Sequence, residues 1–144
     1  MTSRALLLDV VVRGLHPFMI FVSVMLLLRG HDAPGGGFIG GLVAVAATAL
    51  LTVARGHRQA LARLPLAPVP LAALGALLSL GSGVPALWVG EPFLTHLWVE
   101  APVGPWLVPL STVHLFDVGV YATVWGALGG LAAAIIAVDE EGAA

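Results

Sequence analysis

The sequence predicts an all-α membrane protein with four transmembrane helices, and three observations predict it. Apolar residues make up 59% of the 144 positions and charged residues only 10%, whereas a soluble domain carries about 25% charged residues. The chain therefore falls in the membrane class before any single residue is weighed. Four segments reach the roughly 20 predominantly apolar residues that a helix needs to cross a bilayer, at about 5–28, 36–54, 66–90 and 112–138, within one domain covering 1–144. The basic residues then fall on alternate connections, as they do in a chain threaded back and forth. Strands are a poor reading of the long runs, because Ala and Leu dominate over β-branched residues. Four spans also cannot close a barrel, so helices are left to satisfy the backbone in lipid.

The first span, Ala5 to Leu28, carries Asp9, Arg13, His16 and Pro17. Asp9 and Arg13 interrupt what would be the apolar core of a signal peptide, and no small-x-small cleavage pattern follows, so the segment reads as retained. Asp9, Arg13 and His16 recur at i, i+4 and i+7 and share one side of the helix. Asp9 and Arg13 have the spacing of a helix ion pair. Pro17 cannot donate to the carbonyl of Arg13, so a kink is expected there.

Between the first two spans stands Arg29-Gly-His-Asp-Ala-Pro-Gly-Gly-Gly-Phe-Ile-Gly-Gly41. It ends one helix and starts another. Pro34 suits a helix start because its missing N–H costs nothing there. The second span, from about Gly36 to Ala54, lies in a charge-free stretch and lines up Gly37, Gly40, Gly41, Ala44 and Thr48 along one side. The third, within Leu64 to Gly90, has Gly75, Ser79 and Gly83 four apart each time. The fourth, Thr112 to Val138, has Gly119, Ala122, Gly126 and Gly130 and a single charge, Asp117. Helices in lipid associate by close packing and interhelical hydrogen bonds, so small residues at helical spacing mark contacts. The pattern leaves open whether those contacts lie within the chain or against another subunit; for the glycine turn, an assembly surface on the outer side of the membrane is expected.

Arg4, Arg55, Arg58 and Arg63 lie on the side of the N-terminus and the second connection, while the other side has only Arg29. Both termini are therefore expected in the cytoplasm. The third connection, Glu91 to Ser111, holds two acids and no basic residue, and Trp98 and Trp106 suit it to the membrane interface. There, His96 and Glu100 could share a helix side, although an interfacial segment fits better than a metal site.

Ionisable residues inside a span are functional candidates by default. Asp9, Arg13 and His16 form one set, either an interfacial anchor or the lining of an ion or proton path. His114 and Asp117, three apart with Tyr121 a turn beyond, form the other, either a proton relay or a helix contact. The chain has no Cys and no Lys, which removes disulfides, thiolate metal ligation and a Walker-type phosphate loop. No nucleophile, base and oxyanion set is visible, and no basic stripe for nucleic acid. Enzyme chemistry, a cofactor and a metal are therefore not expected. At this length, with no inverted repeat, a subunit of a larger assembly or a homo-oligomer is expected rather than a self-sufficient transporter.

Gly30-His31-Asp32-Ala33-Pro34-Gly35-Gly36-Gly37-Phe38 resembles the G-H-x-x-P-G-G-G-F signature of the MnhB/MrpB family, the small B-type component of the multi-subunit Mrp-type Na+/H+ antiporters. Gly90-Glu91-Pro92-Phe93-Leu94-Thr95-His96 is similar to the family's G-x-P-F-L-T-H stretch, and Phe116-Asp117-Val118-Gly119-Val120-Tyr121 to its F-D-x-G-V-Y block. The resemblance keeps the order of these segments and covers essentially the whole chain. It implies a small protein packed beside other small subunits and a large A-type subunit, in lipid, in a prokaryotic cell membrane. Na+ and H+ would be the ions the complex exchanges. It makes Asp117 and the glycine turn the shared landmarks, with Gly30, His31, Pro34, Gly35, Gly36, Gly37 and Phe38 as motif positions, while Gly40, Gly41 and Gly119 are helix-packing positions by their spacing. Arg13 and His16 rest on the physical argument alone. Two alternatives stand beside it: the B-type module of a membrane-bound hydrogenase complex, and a scaffold whose groups never touch the ion.

Overall fold

The computed structural model describes residues 3–30 and 35–142; His31 and Pro34 of the glycine turn lie outside them. Helix α1 (Ser3–Leu28) continues through Pro17. Helix α2 (Gly36–Arg55) starts from Gly35 and stops at Gly56, which takes a positive φ of 82° and donates its N–H to the Thr52 carbonyl at 2.8 Å. A short helix, α3 (His57–Leu61), leads to α4 (Pro68–Gly81). Pro68 opens α4 where a missing N–H is harmless, two residues later than the expected start at 66. At Ser82 and Gly83 the third span breaks, and α5 (Val84–Trp88) carries it on to residue 88. The fourth span is continuous in three parts: α6 (Thr112–Val124), a π-helical turn (Trp125–Gly129) and α7 (Gly130–Gly142). Four segments are long and apolar enough to cross a membrane, Leu8–Leu28, Gly36–Arg55, Pro68–Trp88 and Thr112–Val138, so the protein is a multi-pass helical membrane protein.

The third connection is not the helix on which His96 and Glu100 could have shared a side. It forms an antiparallel ribbon, β1 (Trp98–Val103) with β2 (Trp106–Ser111), in the register Trp98↔Ser111 to Val103↔Trp106. Gly104, with φ 62°, supplies the left-handed residue of its two-residue turn. Glu100 pairs with Pro109 in the ribbon and His96 lies in the loop before it, so the two share no helix.

In space the spans run first, second, fourth, third. Helix α2 packs on α1 on one side and on α6, the π turn and α7 on the other, while α4 packs chiefly on α6 and the π turn. The buried face of α2 is Gly36, Gly37, Gly40, Gly41, Ala44, Ala47, Thr48, Leu51 and Thr52, which is the small-residue side that the sequence marks. Its neighbours belong to this chain. A Cβ on Gly40 would stand 2.7 Å from the Ser23 carbonyl oxygen of α1, and one on Gly41 would stand 2.9 Å from Val124 of α6. The glycine side of α2 thus packs within this chain, which answers for Gly40 and Gly41 the question that helical spacing left open. Large side chains such as Phe18, Phe21, Leu77 and Ile135 face outward, as they can in lipid.

Candidate functional site

Two polar sites lie in the bundle. The first surrounds Asp117, one turn and a half into α6. Ser111 starts this helix: its Oγ accepts the Val113 N–H at 3.2 Å, and His114 Nδ1 accepts the Ser111 N–H at 3.3 Å. That reciprocal cap fixes the helix start and turns His114 to the exposed side, edge-on to Trp98. Asp117 points the other way and is only 4% exposed. Its Oδ1 accepts the N–H of Gly37 at 3.1 Å.

The first amides of a helix have no intrahelical acceptor and carry the positive end of its dipole. Gly36 and Gly37 are buried, so their amides need an acceptor. Helix α2 begins with glycines and has no side-chain cap of its own, so the fourth span's carboxylate supplies an acceptor. The fit demands glycine: a Cβ on Gly37 would run into the Asp117 backbone carbonyl. Gly36, at φ 82°, faces the same carboxylate, with Oδ1 3.5 Å from the place a Cβ would occupy.

One turn below, the Tyr121 hydroxyl and Ser23 Oγ are 2.7 Å apart and buried. The Tyr121 ring meets Trp125 edge-to-face, with centroids 5.7 Å apart. Trp125 Nε1 donates to Thr48 Oγ1 at 2.9 Å, and Thr48 donates to the Ala44 carbonyl at 3.0 Å. A seam of polar contacts therefore runs down the fourth span against the first and second. On the far side of α6, Gly75 and Gly119 meet back to back: a Cβ on either would lie 2.6 Å from the other's carbonyl oxygen. Thr123 Oγ1 donates to Gly119 O at 2.8 Å beside this crossing.

The expected relay set does not come together as one patch. His114 bonds at the Ser111 cap, Asp117 at the start of α2 and Tyr121 at Ser23; among the described residues no hydrogen bond joins His114 to Asp117. Sequence reasoning missed Ser23, Thr48 and Trp125 as polar partners, because single hydroxyls and an indole in an apolar run carry no spacing signal.

The second site is at the opposite end. Asp9 Oδ2 accepts from Arg13 Nη2 at 3.1 Å, as the i, i+4 spacing predicts, and Oδ1 accepts from Arg55 Nε at 2.6 Å. Arg55, read from sequence only as an orientation charge, ties the end of α2 to the start of α1 across 46 positions. Beside this pair is a recess of about 180 Å³, lined by Val12, Arg13, His16, Leu51, Arg55 and Arg63 among others. His16 thus joins Arg13 there, and Arg63 joins from the turn before α4.

A family model described as a domain related to the MnhB subunit of Na+/H+ antiporter matches residues 7–130. The chain belongs to the MnhB family. The B subunit of the Na(+)/H(+) antiporter of Bacillus subtilis (strain 168) is 35% identical over 127 residues, covering 86% of this chain and 87% of that protein. The A/B subunit of a probable K(+)/H(+) antiporter of Rhizobium meliloti (strain 1021) is 36% identical over 121 residues, 82% of this chain but 12% of that protein. In the solved Mrp complex from Dietzia sp. DQ12-45-1b, one chain matches with a TM-score of 0.76 and 32% identity over 94% of this chain. The present chain spans 14% of that chain's length. The three segments that resemble MnhB signatures converge at one end of the bundle. The first meets the third through Gly37 and Asp117. The second meets the third through His96 and Phe116, whose rings lie edge-to-face at 6.2 Å.

Proposed function

We propose that this MnhB-family chain is a small subunit of a hetero-oligomeric cation (Na+)/proton antiporter in a prokaryotic cell membrane, with both termini in the cytoplasm. It acts there by holding helices in place beside other small subunits and a large A-type subunit. The names of the related proteins support the antiporter setting over a hydrogenase-type one. The match inside a much longer A/B protein supports an A-type neighbour. One observation carries the structural role: an Asp117 side-chain oxygen accepts from the first turn of α2, so this acceptor has a use in holding two spans together.

A cation-path role for Asp117 is the second reading, favoured by its being an acid buried in the fourth span. Asp117→Asn separates the two. Asn keeps an oxygen to accept the Gly37 N–H and removes the charge. On the structural reading the variant assembles with its partner subunits and exchanges Na+ for H+ in everted vesicles within about threefold of wild type. Asp117→Ala leaves the Gly37 amide without that acceptor, a loss of about 1–3 kcal/mol, and lowers the amount of assembled complex. A fully assembled Asn variant with antiport reduced more than tenfold would give Asp117 to the ion path instead.

A further inference from the structure

We infer that the recess between the N-terminal end of α1 and the C-terminal end of α2 is a binding site for the phosphate of an anionic phospholipid headgroup. The first argument is charge. Three guanidinium groups, Arg13, Arg55 and Arg63, and the His16 ring line the recess. Among the side chains the structure describes, one carboxylate, Asp9, answers them, and both its oxygens are already taken, Oδ2 by Arg13 and Oδ1 by Arg55. The Arg63 guanidinium has no hydrogen bond to protein among the described residues, and Arg55 Nη2 is buried there without a partner. A buried guanidinium N–H without an acceptor is a costly state, and an excess of two positive charges among the described side chains around one cleft suits an anion.

Depth is the second argument. Arg55 is the last residue of a 20-residue span, and Asp9 and Arg13 lie in the first turns of the span Leu8–Leu28. The recess therefore sits level with the membrane border, where headgroup phosphates lie. The third is shape. Val12 and Leu51 give the recess an apolar wall, and Val11 and Leu15 stand exposed on the adjoining face of α1, a surface for acyl chains. Free phosphate shares the charge chemistry but has no use for these apolar neighbours. Basic pockets between membrane helices recognise anionic headgroups in this manner.

The test uses the full chain in the membrane assembly with which it purifies. Wild type, Arg63→Gln, Arg63→Lys and Arg58→Gln are titrated in detergent with dioleoylphosphatidylglycerol, dioleoylphosphatidylcholine or inorganic phosphate, and lipid adducts on this chain are counted by native mass spectrometry. Arg63 is chosen over Arg55 because its loss breaks no side-chain bond within the bundle. Arg58 is an exposed residue outside the recess. Phosphatidylglycerol should bind wild type, about fivefold more weakly to Arg63→Gln, as expected for one cationic side chain at an anionic group. Binding should stay near wild type in Arg63→Lys and Arg58→Gln. Absence of a phosphatidylglycerol adduct on wild type, equal binding of phosphatidylcholine, or Arg63→Gln behaving as Arg58→Gln would each overturn the inference. Inorganic phosphate competing with an Arg63 dependence that the lipid lacks would assign the site to a soluble anion and overturn it too.

Discussion

Alanine at Gly40 and alanine at Gly14 should behave in opposite ways, and the difference can be sized from the structure. Either substitution gains about 1 kcal/mol in helix propensity. At Gly14 the new methyl meets nothing within 4 Å, so that gain is all there is. At Gly40 the methyl would stand 2.7 Å from the Ser23 carbonyl oxygen, 3.2 Å from Leu27 N and 3.3 Å from the Tyr121 ring. Ordinary contact begins near 3.4 Å, so α1 must retreat by about 0.7 Å from backbone that cannot rotate away. Overpacking of this kind costs about 1–3 kcal/mol. The retreat also stretches the 2.7 Å contact between Ser23 and Tyr121, a bond of a class that averages about 0.6 kcal/mol in membranes. The net expectation for Gly40→Ala is a loss of about 0.5–2.5 kcal/mol, and for Gly40→Leu a failure to accumulate. Thermal unfolding of the purified assembly in detergent, with the amount of the chain in the membrane as a second readout, reads both. A Gly40→Ala protein as stable as Gly14→Ala would refute the close approach of α1 and α2.

A double-mutant cycle on Ser23→Ala and Tyr121→Phe should return a coupling of about 0.6 kcal/mol in unfolding free energy; additive single effects would mean that the two hydroxyls do not interact. Arg55→Gln should lower the melting temperature of the assembly more than Arg13→Gln, because the Arg55 side chain is 19% exposed and that of Arg13 73%. Equal shifts would show that the Asp9 contact to α2 contributes no more than the solvent-facing pair.

The spans are legible in the sequence because lipid leaves the backbone few choices, and the small-residue side of α2 is legible because helical spacing preserves it. Several features are hidden for identifiable reasons. The run from Leu64 to Gly90 is apolar throughout, so the break at Ser82 and Gly83 carries no mark; Ser and Gly are ordinary residues in membrane helices. Pro102, Pro105 and Pro109 argue against strands, yet the ribbon forms around them as two edge strands with no third to supply. Spacing pairs Asp9 with Arg13, four positions on, while Arg55 is 46 positions away and reads as a boundary charge. Asp117 stands out as the lone acid of its span, but the Gly37 amide that it accepts from has no trace: a backbone amide has no letter in a sequence. The neighbours of the glycine side stay open for a related reason, since a bare surface says that something approaches closely without saying what.

The spatial order of the spans differs from their order in the chain, and this bears on how the protein is made. The second span emerges beside the first and can pair with it at once. Its opening amide at Gly37, however, waits for a carboxylate that lies 80 residues further along. The third span emerges with its main neighbour still unmade, since it packs chiefly on the fourth. During synthesis it must rest in lipid alone or against another protein. The last span to arrive joins both halves, closes the helix start at Gly37 and gives the third its place. Until then the chain is a helix pair and a bystander; afterwards it is a bundle.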